Sequence, residues 1–236
     1  MQADCDDEQS CVAAVGRWEM TLRAVVFDFG STLFGHVSLA DTIRQALPIG
    51  VQPADQVVHD RARQIEEVAH SPEELSLGRD LDPVVWSERA HAWYSTLDDL
   101  ASGTGDAVYR LLHDPVEWHP YAASLSTVRH LHARGVPVGV LSNTGWDIRA
   151  VFRHHGLDPF ITSYALSYEI GAVKPQRQAF ESVCAMLGCE PSETLMVGDD
   201  RVADSGAVGA GMVAMLLPVV PVGADNGLGS VARLFA

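Results

Sequence analysis

The apolar run Thr194-Leu195-Met196-Val197 ends in Gly198-Asp199-Asp200, and a third carboxylate, Asp204, follows one helical turn later. Carboxylates gathered at one strand end repel one another. An oxygen-rich set of this kind suits a hard ion such as Mg²⁺, which takes one or two protein carboxylates and leaves its other positions to water and substrate phosphate. A simpler arrangement fits the same residues, with Asp-Asp at a strand-helix junction serving as a helix N-cap and its neighbour. A second acidic strand end tips the balance toward chemistry. Asp28 closes Ala24-Val25-Val26-Phe27 ahead of Gly30-Ser31-Thr32, where a buried strand would deliver it to solvent. Ser142-Asn143 closes a third apolar run, and Lys174 stands before Pro175 in a loop entering a helix. Two acidic strand ends, a hydroxyl and an ammonium together suit the handling of phosphate.

The elements that must position these groups alternate. The apolar run before Asp28 is short, as a parallel-sheet strand is, and open parallel sheets bind ligands beyond the carboxyl ends of their strands. The pattern predicts a helix over 124–134, capped by Gly135, and a strand over 136–141. Further on it predicts a helix over 147–155, a strand near 162–167, a helix over 175–187, the strand ending at Gly198, a helix over 204–211 and a strand over 213–217. Residues 218–236, with Pro218 and Pro221, read as a loop and a short terminal helix. The connection between Asp28 and Ser142 runs to about a hundred residues, far more than neighbouring strands need, so an insertion is expected. Its stretches 54–70, 83–100 and 105–113 show helical spacing, with Ser71-Pro72 and Asp82-Pro83 as breaks that also start helices.

With these four motifs in this order, the chain resembles the haloacid dehalogenase (HAD) superfamily of hydrolases from about Leu22 onward. The pattern Ser167-Tyr168-Glu169, Gly171, Lys174-Pro175, Phe180 is close to that of members with a helical, C1-type cap. The resemblance implies an α/β fold, a HAD-like Rossmannoid parallel sheet flanked by helices, with an inserted α-helical cap. The expected division is a core of residues 20–36 and 119–236 and a cap of residues 37–118. The implied roles make Asp28 the nucleophile that becomes an aspartyl phosphate. Ser142 and the backbone N–H of Asn143 would bind a phosphoryl oxygen, and Lys174 would pair with both phosphate and Asp28. Mg²⁺ would be held by Asp28, the backbone carbonyl of Gly30 and Asp199, with Asp200 or Asp204 acting directly, through water or from behind. The expected substrate is a small phosphorylated metabolite, with an anomeric sugar phosphate among the candidates.

Gly30 departs from that pattern. Phosphatases of the superfamily usually carry a second aspartate there, which protonates the leaving oxygen and then activates water, and such a group contributes roughly 10²–10⁴-fold. Three alternatives follow: a more selective phosphatase, a 2-haloacid dehalogenase-like hydrolase, or a catalytically impaired phosphate-binding or interaction protein. Dehalogenases of the family need no metal and tend to replace the acidic Gly-Asp strand end that this chain keeps, which favours phosphoryl transfer. His36 is the first candidate to replace the missing acid-base. Trp86, Trp93, Tyr94 and Trp118 are candidates for a pocket lining or, more simply, helical core. Arg79, between Gly78 and Asp80, could reach an anionic substrate or, more simply, be a solvated surface arginine.

Composition narrows the partners. A net charge of −15 over 236 residues disfavours nucleic acid, and 47% hydrophobic content suffices for a sizeable core. No apolar run approaches a membrane span, residues 1–19 read as an acidic tail with Met20 as a natural start, and no secretory signal is apparent. Cys5, Cys11, Cys184 and Cys189 lack zinc or disulfide spacing, so a cytoplasmic protein with reduced thiols is expected, as monomer or homodimer.

Overall fold

The computed structural model describes residues 21–235; the acidic tail expected over 1–19, with Cys5 and Cys11, lies outside them. The chain opens with strand β1 (Ala24–Phe27), whose four residues are all buried. After a tight loop, β2 (Phe34–Gly35) leads into five helices: α1 (Leu39–Ala46), α2 (Asp55–Ala69), α3 (Pro72–Ser76), α4 (Pro83–Ser95) and α5 (Thr104–His113). The chain returns through β3 (His119–Pro120), which pairs antiparallel with β2, Phe34 opposite Pro120 and Gly35 opposite His119. It then runs α6 (Ser124–Ala133), β4 (Val138–Ser142), α7 (Arg149–His154), β5 (Ser163–Leu166), α8 (Ser167–Ile170) and α9 (Arg177–Leu187). It closes with β6 (Thr194–Gly198), α10 (Gly206–Gly209), β7 (Val213–Leu216) and α11 (Val231–Leu234).

The main sheet is parallel throughout, in the order β5-β4-β1-β6-β7. Period-two alternation divides each strand between two cores. Val25 and Phe27 face one side with Val138, Val140, Leu195 and Val197, under Val128, Leu131 and Phe152 of α6 and α7. Ala24 and Val26 face the other with Leu141 and Met196, under Phe180, Val183 and Leu187 of α9. Burial on both faces explains why these strands read as continuous apolar runs. Each large side chain taken fully out of water, such as Phe27 or Phe180, contributes about 1.5–3 kcal/mol.

The helical segment between β2 and β3 has an apolar cluster of its own. Ile43 of α1, Val58, Ala62 and Ile65 of α2, Ala90 and Trp93 of α4, and Val108 of α5 pack together, apart from both sheet cores. Asp82 caps α4 by accepting from the N–H groups of Val84 and Val85, and Pro83 occupies its first turn, as the Asp-Pro break predicts. The helix expected over 83–100 stops at Ser95, because the Ser95 and Thr96 hydroxyls donate back to the Ala92 and Trp93 carbonyls and the chain tightens into a 3₁₀ turn, Thr96–Asp99. Helix α1, absent from the expected pattern, is capped by Ser38, which accepts from the Asp41 N–H.

Candidate active site

Three strands of the sheet deliver the predicted residues to one end. Asp28 follows β1, Ser142 ends β4, and Asp199 follows β6, the two outer strands lying on either side of β1. These are the carboxyl ends of adjacent parallel strands on both sides of a reversal in strand order, where such sheets place ligands. Asp28, Ser142, Asn143, Lys174, Asp199 and Asp200 line a single cavity of about 430 Å³, with Gly30 in its wall.

The loop after β1 is anchored by Phe29, which alternates away from Asp28 and packs 4.6 Å from Trp118, ring centre to ring centre, with the planes tilted by 39°. Ser31 adopts the left-handed conformation (φ 54°), a region that a non-glycine residue seldom occupies, and sharpens the turn. The next residue, Thr32, donates its hydroxyl to Asp199 Oδ1 at 3.2 Å, tying the β1 loop to the β6 loop. Sequence reasoning missed Thr32; a hydroxyl four residues after Asp28 carries no signal until the two loops are known to meet.

Lys174 is almost fully buried and donates to two carboxylates, Asp28 Oδ1 and Asp204 Oδ1, each at 2.6 Å. Its backbone is held from the β4 side. The Asn143 side chain accepts from the Lys174 N–H at 2.7 Å and donates to the Lys174 carbonyl at 2.9 Å. The sequence pointed to Asn143 for its backbone N–H; its amide side chain also sets the lysine.

Asp204 is fully buried and has no free oxygen. Oδ1 takes Lys174, and Oδ2 accepts from the backbone N–H groups of Asp199 and Asp200 at 3.0 and 2.9 Å. Gly198 must lack a side chain for this to fit, because a Cβ there would overlap the Asp204 carboxylate. Asp200 points elsewhere: its Oδ1 accepts from the N–H groups of Val202 and Ala203 and braces the turn over 201–205, so the N-cap expected here does not form, and α10 begins only at Gly206 with Ser205 at its N-cap. Backbone donation outweighs its partial burial and holds the Asp200 carboxyl below the ordinary range.

Among the described residues, Asp28, Asp199 and Asp204 form a group in which one carboxylate oxygen from each lies within 4.8 Å of the other two. Burial pushes the Asp28 carboxyl up to about 7; Lys174 opposes this, and the charges of Asp204 and Asp199 add to it. Burial, then repulsion from Asp204, raises Asp199. Burial works against the Lys174 ammonium, but the two carboxylates prevail and raise it. Three carboxylates against one ammonium leave a formal excess of two negative charges, the charge of one divalent cation. Asp28 Oδ2 and Asp199 Oδ2 have no donor among the described residues, so two carboxylates remain available, the number Mg²⁺ commonly takes.

His36 lines a neighbouring cavity bordered by Gly30, Ser31 and Tyr121, not the one containing Asp28, and its Nδ1 lies 3.1 Å from the Val37 carbonyl. Two other histidines, His70 and His113, line the Asp28 cavity. His113 has both nitrogens engaged, Nε2 accepting from Trp86 Nε1 and Nδ1 bonded to the Tyr109 carbonyl, and burial lowers it. Trp93 is core, as the simpler expectation held, yet Trp86, Tyr94 and Trp118 line the Asp28 cavity, and all of Trp86, Trp93 and Tyr94 line a larger adjoining one. Arg79 corrects the expectation of a solvated surface residue: it is only 8% exposed, because its turn packs against the β4 loop.

A family profile described as haloacid dehalogenase-like hydrolase matches residues 22–211. A hydrolase of Schizosaccharomyces pombe is 38% identical over 85 residues, 34% of this chain and 37% of the relative. The glyceraldehyde 3-phosphate phosphatase of Methanothermobacter thermautotrophicus is 34% identical over 104 residues, covering 42% of this chain and 44% of that protein. The chain thus spans less than half the length of these two relatives in the matched region. The ribulose-1,5-bisphosphate 5-phosphatase of Halopiger xanaduensis is 25% identical over 205 residues, covering 82% and 83%. Among solved structures, a HAD phosphatase from Thermococcus onnurineus shares the fold with a TM-score of 0.61 at 19% identity, covering 91% of this chain and 98% of that one.

Proposed function

From its membership of the haloacid dehalogenase-like hydrolase family, we propose that this chain is a Mg²⁺-dependent phosphatase of a small phosphorylated metabolite, with Asp28 as its nucleophile. One observation carries the reading: Asp28 stands in a group of three carboxylates with a single buried ammonium, at the end of the central strand and within a cavity. In this reading Asp28, Asp199 and the Gly30 carbonyl hold the cation, while Asp204 acts from behind by fixing Lys174 and the Asp199-Asp200 turn. When bound, the ion would neutralise charge that otherwise repels a phosphate dianion.

The residues of the chain then have distinct tasks. A carboxylate oxygen of Asp28 forms a bond to phosphorus as the bond from phosphorus to the leaving oxygen breaks, giving an aspartyl phosphate. The Ser142 hydroxyl and the Asn143 N–H donate to the phosphoryl oxygens, and Lys174 balances the charge that collects there. Water attacks the aspartyl phosphate, releasing inorganic phosphate and restoring Asp28. Residues 37–118 act as the cap, excluding water and selecting the substrate. Gly30 leaves no acid beside the leaving oxygen, so substrates with good leaving groups are favoured. The names of the two phosphatase relatives support a small sugar or triose phosphate as the substrate class. A cytoplasmic setting fits the free thiols of Cys184 and Cys189.

Release of p-nitrophenol from its phosphate ester, with Mg²⁺ and with chelator, tests the reading. Turnover should require Mg²⁺ and fall to background in Asp28→Asn. Turnover that survives either change would refute it. Metal-independent chloride release from 2-chloropropionate would move the assignment to carbon-halogen chemistry, and tight phosphate binding without turnover would make the chain a binding protein.

A further inference from the structure

The geometry points to Arg79 as the residue that recognises a second anionic group, carboxylate or phosphate, at the far end of the substrate. This rests on the phosphatase reading only in naming the near group a phosphate. Arg79 opens a short 3₁₀ turn (Arg79–Leu81) between α3 and α4, after Gly78 in the left-handed conformation. Its guanidinium lies 5.4 Å from the ring centre of Trp86 and 5.1 Å from that of Trp93. Its Nε has no hydrogen-bond partner, and its contact with Asp80, at 3.7 Å, is too long to be one. Of the other carboxylates nearby, Glu74 is engaged by Arg89 through two nitrogens, and Glu66 lines the same cavity as Arg79.

The Nε of this guanidinium is buried without an acceptor, with the Asp80 carboxylate near it only as a counter-charge, and flanking aromatic rings recover only part of the cost of that missing hydrogen bond. A ligand that supplies an anion recovers the rest. Arg79 lines a cavity of about 830 Å³ together with Trp86, Trp93 and Tyr94, and Asn143 and Lys174 line the same cavity. Asn143 and Lys174 also line the cavity containing Asp28, so one molecule can present a phosphate to Asp28 and a second anion to Arg79.

The position of Arg79 is fixed against the core. Gly145, three residues after Ser142, has no room for a side chain, because a Cβ there would come within 2.6 Å of the Arg79 carbonyl oxygen and overlap Trp86. Ser167 donates its hydroxyl to the Asp80 carbonyl and accepts from the Thr144 N–H, clamping the turn to the β4 loop. These contacts fix the backbone of the turn, and the guanidinium beside the two indole rings has a fork better shaped than lysine for a planar or tetrahedral anion.

Non-hydrolysable phosphonates test this by calorimetry on the full chain with excess Mg²⁺. Methylphosphonate carries one anionic head; phosphonoacetate adds a carboxylate, and α,ω-bisphosphonates of two to five carbons add a second phosphonate. At least one two-headed ligand should bind about tenfold to hundredfold more tightly than methylphosphonate, the range of a charge-assisted hydrogen-bonded pair. Whether the carboxylate or the bisphosphonate arm shows the preference identifies the second group. In Arg79→Met the ratio should fall to near one, and Arg79→Lys should restore part of it. No preference in the unaltered chain, or an undiminished ratio in a folded Arg79→Met, would overturn the proposal. The unaltered chain decides the matter even if the variant fails to fold. Binding needs no turnover, so a chain that shows the ratio without releasing phosphate keeps Arg79 and loses the phosphatase reading, and a chain with turnover but no ratio does the reverse.

Discussion

Neutralising two carboxylates of the same cluster should have opposite consequences. Asp204 is fully buried and satisfies three donors: the Lys174 ammonium through Oδ1, and two backbone N–H groups through Oδ2. In Asp204→Asn a single amide oxygen can serve Lys174 or the two N–H groups, not both, and the new NH₂ must face the other set of donors. Removing one partner of a buried ion pair costs about 3–5 kcal/mol. For a domain of this size that corresponds to a fall in Tm of about 6–20 °C. Asp199 differs, because burial and Asp204 both disfavour its charge and it receives only one side-chain donor, Thr32. Asp199→Asn relieves that repulsion, so the metal-free protein should keep its Tm or gain slightly.

Thermal melts with chelator and with Mg²⁺ separate the two. An ion at about a hundred times its Kd stabilises the folded state by about 2.7 kcal/mol, so the unaltered protein should melt several degrees higher with Mg²⁺. Asp199→Asn should lose that rise with its metal-free Tm intact. Asp204→Asn should begin far lower. If instead Asp204→Asn melts within about 2 °C of the unaltered chain, or Asp199→Asn collapses with it, the division between a cation-facing carboxylate and a structural one is wrong.

Gly30→Asp should be accommodated, since an added Cβ at Gly30 meets nothing within 4 Å. If leaving-group protonation is the missing step, the variant should raise kcat for alkyl phosphates more than for p-nitrophenyl phosphate, within the roughly 10²–10⁴-fold range of general acid catalysis; an equal effect on both counts against that account. Gly145→Ala forces the Arg79 turn and Trp86 away from the β4 loop and should cost about 1–3 kcal/mol as overpacking, read as a lower midpoint in urea; an unchanged midpoint would show that the helical segment is not seated as described. Without metal, stability should fall as pH rises from about 4 toward 7, because Asp28, raised from 3.8 to about 7, holds a proton in the folded state that the unfolded chain has already released. Mg²⁺ should flatten that slope, which melts at pH 5 and pH 8 would measure.

What the sequence disclosed about the site follows from how parallel sheets are built. Asp28, Ser142 and Asp199 were legible because each closes a fully buried apolar run, and strand ends in such a sheet converge whatever lies between them. Lys174 and the order of the motifs added the family resemblance. The side chains that set these groups were not legible. Asn143 grips the Lys174 backbone and Thr32 reaches Asp199 only because loops far apart in the chain meet, and neither contact leaves a periodic trace. Arg79 was misread for the same reason: a polar residue after glycine looks exposed until the turn is seen against Gly145. Helix α1 was overlooked at eight residues, though Ser38 and Asp41 carry the spacing of an N-cap.

The Asp28 pKa and the place of Asp204 together account for the arrangement. In the nucleophilic role proposed for it, Asp28 must be ionised and poorly solvated at once, and burial alone drives it toward the neutral acid. Lys174 would suffice as a counter-ion if it served Asp28 only. Sharing it with Asp204 fixes the ammonium in one place, since two carboxylates and a buried stem leave it no alternative position, but it also brings a second negative charge near Asp28. Rigidity of the lysine is therefore gained at the expense of the ionisation of Asp28. A cation lodged between Asp28 and Asp199 would reverse that loss without loosening the lysine, because Asp204, already saturated by three donors, has no oxygen left to compete for it.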